Sequence, residues 1–380
     1  MKILFVHDHR FYEQAGVYYS MKFSETIWKP YVMGDNIVTM FARKSKTPCP
    51  QVASCNKVKF KLSNNYSSPF SAVTNYRKIK KELEPYVDQS DRVIVRMPSI
   101  LGVIASEIAI VKRKKIMAEV VGDAYDAYKY YGSFSGKVLA PVFRYLNKRA
   151  ISRCDAAIYV TQDYLQDRYP TRGFRCACSD VLIEEVSPSV LSNRLERNNR
   201  PKRKLICGEI GNVSMPYKGY EIMLRAMQIL RERGIRIEYH IVGGGNPIDV
   251  LKIAEKCGVG DSVFYDGMID HSLIYEFYDS LDVYVHPSFT EGLPRVVVEA
   301  ISRGCPCAVS DAGGTPELID SEFIHRTGDA NKLADDLMRF YRDKEVMNRV
   351  SVANFERAKA YYASTLESKR LDFYSKFYTL

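Results

Sequence analysis

No apolar run in this 380-residue chain approaches the roughly 20 residues that a membrane-spanning helix requires. The opening apolar stretch, Ile3 to Val6, is too short for the core of a secretory signal and reads as a first buried strand. The expected location is therefore the cytoplasm. The nine cysteines show no common zinc spacing. Cys176 and Cys178 are separated by a single residue, as are Cys305 and Cys307, so reduced and mostly buried thiols are expected. No D-x-D triplet offers a divalent cation its paired carboxylates, and neither a metal nor a cofactor is expected. No repeat with a period of about 20–50 residues is present, which excludes solenoids and propellers. Gly243-Gly244-Gly245 follows an apolar run, but the last glycine of a G-x-G-x-x-G fingerprint falls on Ile248. A dinucleotide-dependent oxidoreductase is thereby excluded.

What the chain does have is enough apolar material for two cores, with 46% hydrophobic and 12% aromatic residues. Its charge is unevenly spread. Residues 1–200 hold 32 Lys and Arg against 19 Asp and Glu, a net +13, whereas residues 201–380 hold 23 against 26, a net −3. A basic first half suits an anionic surface or substrate, and the expected surface is an anionic membrane rather than nucleic acid. Lys57, Lys59 and Lys61 alternate with Val58, Phe60 and Leu62 as on the exposed face of a strand. Lys112 to Lys115 form a basic run. Arg144, Lys148, Arg149 and Arg153 share one broad helix face.

Short apolar runs alternate with helical patterns: Ile3–Val6, Val93–Val95, Ile116–Val121, Ala156–Val160, Ile237–Val242, Val263–Tyr265, Val283–His286 and Cys305–Val309. This alternation predicts βα units and parallel sheets, an α/β architecture. Ser187 to Lys204 lacks a sustained apolar period and reads as the boundary, giving domains over 1–190 and 200–360. Residues 361–380, rich in tyrosine and phenylalanine, read as a terminal helix.

The most informative stretch runs from Asp282 to Ile319. A buried strand ends at His286-Pro287-Ser288, a loop carries Glu291 and Gly292, and Pro294 stands where a first helical residue belongs. Arg295 to Arg303 reads as helix, closed by Gly304 and Pro306. Such a strand–loop–helix aims backbone amides beyond the strand's carboxyl end, a ready site for a diphosphate. Glu299 lies five residues after Pro294, roughly 7 Å along the helix. Glu291 and Glu299 can therefore address hydroxyls on opposite sides of that diphosphate, as hexose and ribose flank it in a nucleotide sugar. Upstream, Gly208 to Gly219 follows a strand and opens the helix Tyr220–Glu232, with Lys218 placed to reach phosphate oxygens.

The sequence P-S-x-x-E-G-x-P-x-x-x-x-E-A, followed by Gly313-Gly314-x-Pro316-Glu317, resembles the E-x7-E region of glycosyltransferase family four. That family comprises retaining enzymes of the GT-B fold. The resemblance covers about Leu205–Ile319. It implies two Rossmann-like lobes with parallel sheets facing across a cleft, and a C-terminal helix crossing back to the first lobe. It implies that Glu291 contacts the donor sugar, Glu299 the ribose, and Lys218 the diphosphate, with Gly292, Leu293, Pro294, Arg295 and Val296 around the donor. Met268 and Ile269 match the segment bordering the nucleobase. An arginine usually assists the lysine; here the position holds Asn212. In the N-terminal half the resemblance is architectural, and the candidates are Gly16 in the first βα loop, Asp123 beside the sugar or acceptor, and Arg96 as an acceptor ligand. For Asp123 the competing reading is a helix cap, and for Gly16 a plain turn. The implied reaction is metal-independent hexosyl transfer from a nucleotide sugar, by default a UDP-sugar, to a glycan or lipid-linked acceptor. The implied setting is cell-surface polysaccharide synthesis, peripheral to the inner face of the membrane. A GT-B nucleotide-sugar epimerase and a catalytically silent nucleotide-sugar binder are the alternatives.

Overall fold

Ile3–Val6 is the buried start of a long strand, β1 (Lys2–Gln14), around which a sheet is built. The computed structural model describes residues 1–21, 23–64, 71, 74–131 and 134–380. After β1 come β2 (Val17–Tyr19), β3 (Ile37–Lys44), β4 (Val58–Ser63), β5 (Arg92–Met97), β6 (Lys115–Val120), β7 (Ala156–Tyr159) and β8 (Phe174–Ala177). Their order is β4-β3-β1-β5-β6-β7-β8, parallel throughout, with β2 pairing antiparallel to β1. A second sheet holds β9 (Leu205–Ile210), β10 (Ile237–Val242), β11 (Val263–Gly267), β12 (Val283–His286), β13 (Cys307–Ser310) and β14 (Ile324–His325). It is parallel and ordered β11-β10-β9-β12-β13-β14. Every apolar run singled out in the sequence is a strand, because parallel strands covered on both faces are apolar at consecutive positions.

The chain divides into two units, Met1–Cys178 with Glu367–Leu380, and Ser179–Leu366. Both are Rossmann-like, and in each the strand order reverses once, between β1 and β5 and between β9 and β12. Ligands of such sheets bind beyond the strand carboxyl ends at that reversal.

Two expectations need correction. Ser187 to Lys204 is not an irregular linker, since Pro188–Asn199 is a helix with Ser187 capping it through Ser189 N and Pro188 in its first turn. Its buried face is polar, which is why no apolar period betrays it. The Arg194 guanidinium donates to the carbonyls of Tyr278 and Leu281, and Asn198 donates to Ser351. The break falls at Cys178–Ser179, and this helix belongs to the second unit. The basic run Lys112 to Lys115 is not an open cationic patch either. Lys112 pairs with Glu84 and Asp88, Lys114 donates to the carbonyls of Asp88 and Ser90, and Lys115 pairs with Asp155.

The last helix, Ala363–Tyr378, ends within the first unit. There Tyr374 donates to buried Glu119, and Phe373 packs on Phe174 with ring centroids 5.0 Å apart. Its aromatic content is therefore a packing surface.

Candidate functional site

At the reversal of the second sheet, two loops leave β9 and β12 and are tied to each other. Phe289 N donates to Tyr217 O at 2.7 Å. Gly219 has φ +80, and a Cβ on it would stand 2.0 Å from Pro287 O, so only glycine allows this approach. Gly313, at φ +61, supports the β12 loop from the other side, since its Cβ would lie 1.9 Å from Glu291 O. Gly314 N then donates to Gly292 O at 2.8 Å.

This scaffold brings Glu291 and Lys218 together. Glu291 Oε1 accepts from Lys218 Nζ at 2.7 Å, His286 Nε2 at 2.9 Å and Ser288 Oγ at 2.9 Å. Glu291 Oε2 has no hydrogen-bond partner among the described residues, and the side chain keeps 13% of its surface exposed, so this oxygen is open to a ligand. Burial works against the charge, but His286 and Lys218 outweigh it and hold the carboxyl down at about 2. Glu291 is therefore ionised at any working pH. Lys218 stays protonated for the reciprocal reason, since Glu291 beside it overcomes the cost of burial. His286 is fully buried, which depresses its pKa. It must donate through Nε2, because an ionised carboxylate only accepts. Its buried Nδ1 has no partner among the described residues.

The helix after the loop runs from Arg295 to Ser302, with Pro294 just before it rather than in its first position. No side chain caps this end, and nothing among the described residues accepts the amides of Arg295 and Val296. Glu299 lies on the buried side of this helix. Tyr278 OH donates to its Oε2 at 3.0 Å, and burial raises its pKa. Asn212, after β9, accepts from Ser214 N at 2.9 Å through its side chain, shaping the loop. That loop meets the glycine turn after β10 through Val213 N–Gly244 O at 2.9 Å, and the turn meets the end of β11 through Gly243 N–Gly267 O at 2.8 Å. Met268, 82% exposed, and Ile269 follow directly. The candidates of the second unit thus gather at the carboxyl ends of its strands.

The candidates of the first unit do different work. Asp123 is corrected from ligand contact to helix cap. Its carboxylate accepts from Tyr125 N at 2.7 Å, Tyr169 OH at 3.0 Å and Arg168 at 2.8 Å, and its side chain has 0% exposure. Arg96, the acceptor-ligand candidate, is paired at 2.8 Å with buried Glu119 and so serves that carboxylate as counterion. Gly16 is not in a βα loop. Ala15 (φ 50) and Gly16 (φ 77) form the two-residue turn of the β1–β2 hairpin, in which both central residues need positive φ. Sequence reasoning overlooked Asp8, which stands at the β1/β5 reversal and accepts from Ile100 N at 2.7 Å and Leu101 N at 3.0 Å. It occupies the start of the helix Ile100–Val111 with the chain's own carboxylate.

Glu209 was overlooked too, although a carboxylate inside the apolar strand LICGEI was a visible signal. It is fully buried, Tyr239 OH donates to its Oε2 at 2.6 Å, and its Oε1 has no partner among the described residues. Burial pushes its carboxyl up to about 8 from the ordinary 4.5, so it is neutral at pH near 7. The unfolded chain ionises near that ordinary value, so the folded state binds the extra proton in between. Stability from this group is therefore full below about 4.5 and is lost as pH rises through about 8. Glu209→Gln removes the titration. Its thermal midpoint, measured against wild type, should improve between about pH 5 and about pH 8. A difference independent of pH would contradict the neutral assignment.

Residues 193–357 match the family described as glycosyl transferases group 1. The chain is 31% identical over 374 residues to protein CapJ of Staphylococcus aureus, covering 97% of this chain and 94% of that one. It is 34% identical over 132 residues to the amylovoran biosynthesis glycosyltransferase AmsK of Erwinia amylovora, 32% of each chain. Among solved structures, Alr3699/HepE of Anabaena in complex with UDP superposes over 100% of both chains with a TM-score of 0.67 at 16% identity.

Proposed function

The chain belongs to the group 1 glycosyl transferases and has the GT-B fold, and from that premise we propose that it transfers a hexosyl group, with retention, from a nucleotide sugar to a glycan or lipid-linked acceptor. The observation that carries the reading is Glu291: one oxygen locked by Lys218, His286 and Ser288, the other open, beside an uncapped helix start at the β9/β12 reversal. Glu291 Oε2 accepts from sugar hydroxyls. Lys218 and the amides of Arg295 and Val296 face the diphosphate, Glu299 the ribose hydroxyls, and the backbone at Met268 and Ile269 the base.

In the step itself, the bond from the anomeric carbon to the β-phosphate oxygen breaks while the acceptor oxygen attacks from the same face. The acceptor proton passes to the departing phosphate. Negative charge grows on that phosphate, and preformed cations and amides stabilise it where it develops. Lys218 fills the place a metal would otherwise take, so the reaction is proposed to need none. A uridine diphosphate donor finds support in the UDP complex of Alr3699/HepE, and a role in polysaccharide synthesis in the name of AmsK.

The test is thermal unfolding in EDTA against a panel of nucleotide sugars and nucleoside diphosphates. A ligand at about 100 times its Kd stabilises by ~2.7 kcal/mol. For a domain of this size that amounts to roughly 5–10 °C. Stabilisation by UDP-hexoses in EDTA is expected. A shift that appears only with magnesium or manganese would contradict the metal-free reading.

A further inference from the structure

The helix Phe134–Ile151 has two unlike faces. Ala140, Phe143, Asn147, Ala150 and Ile151 are buried against the first unit. On the opposite side Val138, Val142 and Tyr145 are 62%, 50% and 62% exposed. At helical spacing these three and Arg149 fall within about 60° of arc, one continuous stripe. Lys137, Arg144 and Lys148 line one edge of it. The helix carries four Lys and Arg and no Asp or Glu, and none of the four has an acidic partner among the described residues. This sets it apart from the run Lys112 to Lys115, whose three lysines are all paired within the fold. The unit that presents it holds 32 Lys and Arg against 17 Asp and Glu, a net +15.

We propose that this helix face seats the first unit on an anionic lipid bilayer, lying in the interface with Val138, Val142 and Tyr145 among the acyl chains and its cations on the headgroups. Apolar residues exposed to this degree on a helix with unpaired cations beside them match what an interfacial helix requires. Lys and Arg stems reach from the stripe's edge to the phosphate level, and a tyrosine places its ring in acyl chains and its hydroxyl in water. A second protein would have to supply an acidic rim around an apolar centre, whereas an anionic bilayer offers both over its whole surface. The proposal rests on the reading of a lipid-linked acceptor only for its purpose.

The experiment is co-sedimentation of the full chain with vesicles of phosphatidylcholine alone or mixed with phosphatidylglycerol, without donor or acceptor, so that it reports on docking and not on transfer. Wild type should pellet with the mixed vesicles and not with the neutral ones. Lys148→Gln with Arg149→Gln should weaken partitioning about thirtyfold, from two surface cations. Val138→Gln, Val142→Gln and Tyr145→Gln together should weaken it about tenfold or more, from lost apolar insertion. All five side chains lie on the solvent side, so an unchanged thermal midpoint serves as the fold control. Equal pelleting with neutral vesicles would overturn the proposal. So would unaltered partitioning of the triple variant, which would mean diffuse attraction by the basic unit without a seat for this helix.

Discussion

Lys218→Ala should lower kcat by about 100- to 1,000-fold, ~3–4 kcal/mol of transition-state stabilisation. Two observations make the loss this large. The lysine is held by Glu291 at 2.7 Å in a loop that glycine packing fixes in place, so its ammonium is positioned before any donor arrives. The neighbouring position that ordinarily adds an arginine is Asn212, whose side chain is spent on Ser214 N, so charge compensation falls on one cation. Because the β-phosphate gains charge only as the sugar leaves, the lysine acts more on the transition state than on bound donor. Asn212→Arg in the Lys218→Ala background should recover part of the loss. The measurement is steady-state release of nucleoside diphosphate by wild type, single and double variants, well below each unfolding midpoint. A Lys218→Ala enzyme within a few-fold of wild type would shift the role to Arg295.

Glu291→Gln should be nearly as damaging, and in a different way from Glu299→Ala. Glu291 carries a negative charge that His286 and Lys218 hold in place against burial. A hexosyl group leaving a phosphate gains positive charge, so the carboxylate is worth more to the transition state than the neutral amide. kcat should fall by about 100-fold, a loss comparable to that of one preorganised polar group. Glu299 addresses a part of the donor that does not change during reaction. Its removal should raise the donor KM by about 10-fold or more, the worth of a hydrogen bond to a charged group, with kcat little altered. Rates and KM from one donor titration separate the two. Exchanged phenotypes would mean that the two ends of the donor are assigned the wrong way round.

The second unit was legible because its motif is made of residues whose backbone needs are unusual. Glycines at Gly219 and Gly313, a proline before a helix, and carboxylates in otherwise apolar surroundings have few structural explanations. Glu291 and Lys218 therefore emerged together from positions 73 residues apart. The role of His286 and Ser288 in holding Glu291 was not legible, because a histidine and a serine at a strand end look ordinary until the carboxylate that both bind is located. The first unit was illegible for the opposite reason. Asp123 and Arg96 are the kinds of residue a binding site uses, but capping and ion pairing use them equally. Their partners, Arg168 and Glu119, lie 45 and 23 residues away, with no pattern connecting them. The helix Pro188–Asn199 was lost because its inner face is built from an arginine and an asparagine satisfied by carbonyls and a serine.

The most direct test of the donor site is turnover itself. Wild type and Glu291→Gln would be incubated in EDTA with UDP-hexoses and membrane-extracted acceptor, following nucleoside diphosphate release and the anomeric configuration of the product. The account predicts that wild type turns over a UDP-hexose and leaves the anomeric configuration unchanged, while the variant binds the same donor and is about 100-fold slower. Inversion at the anomeric carbon, or tight donor binding with no release by wild type, would contradict it.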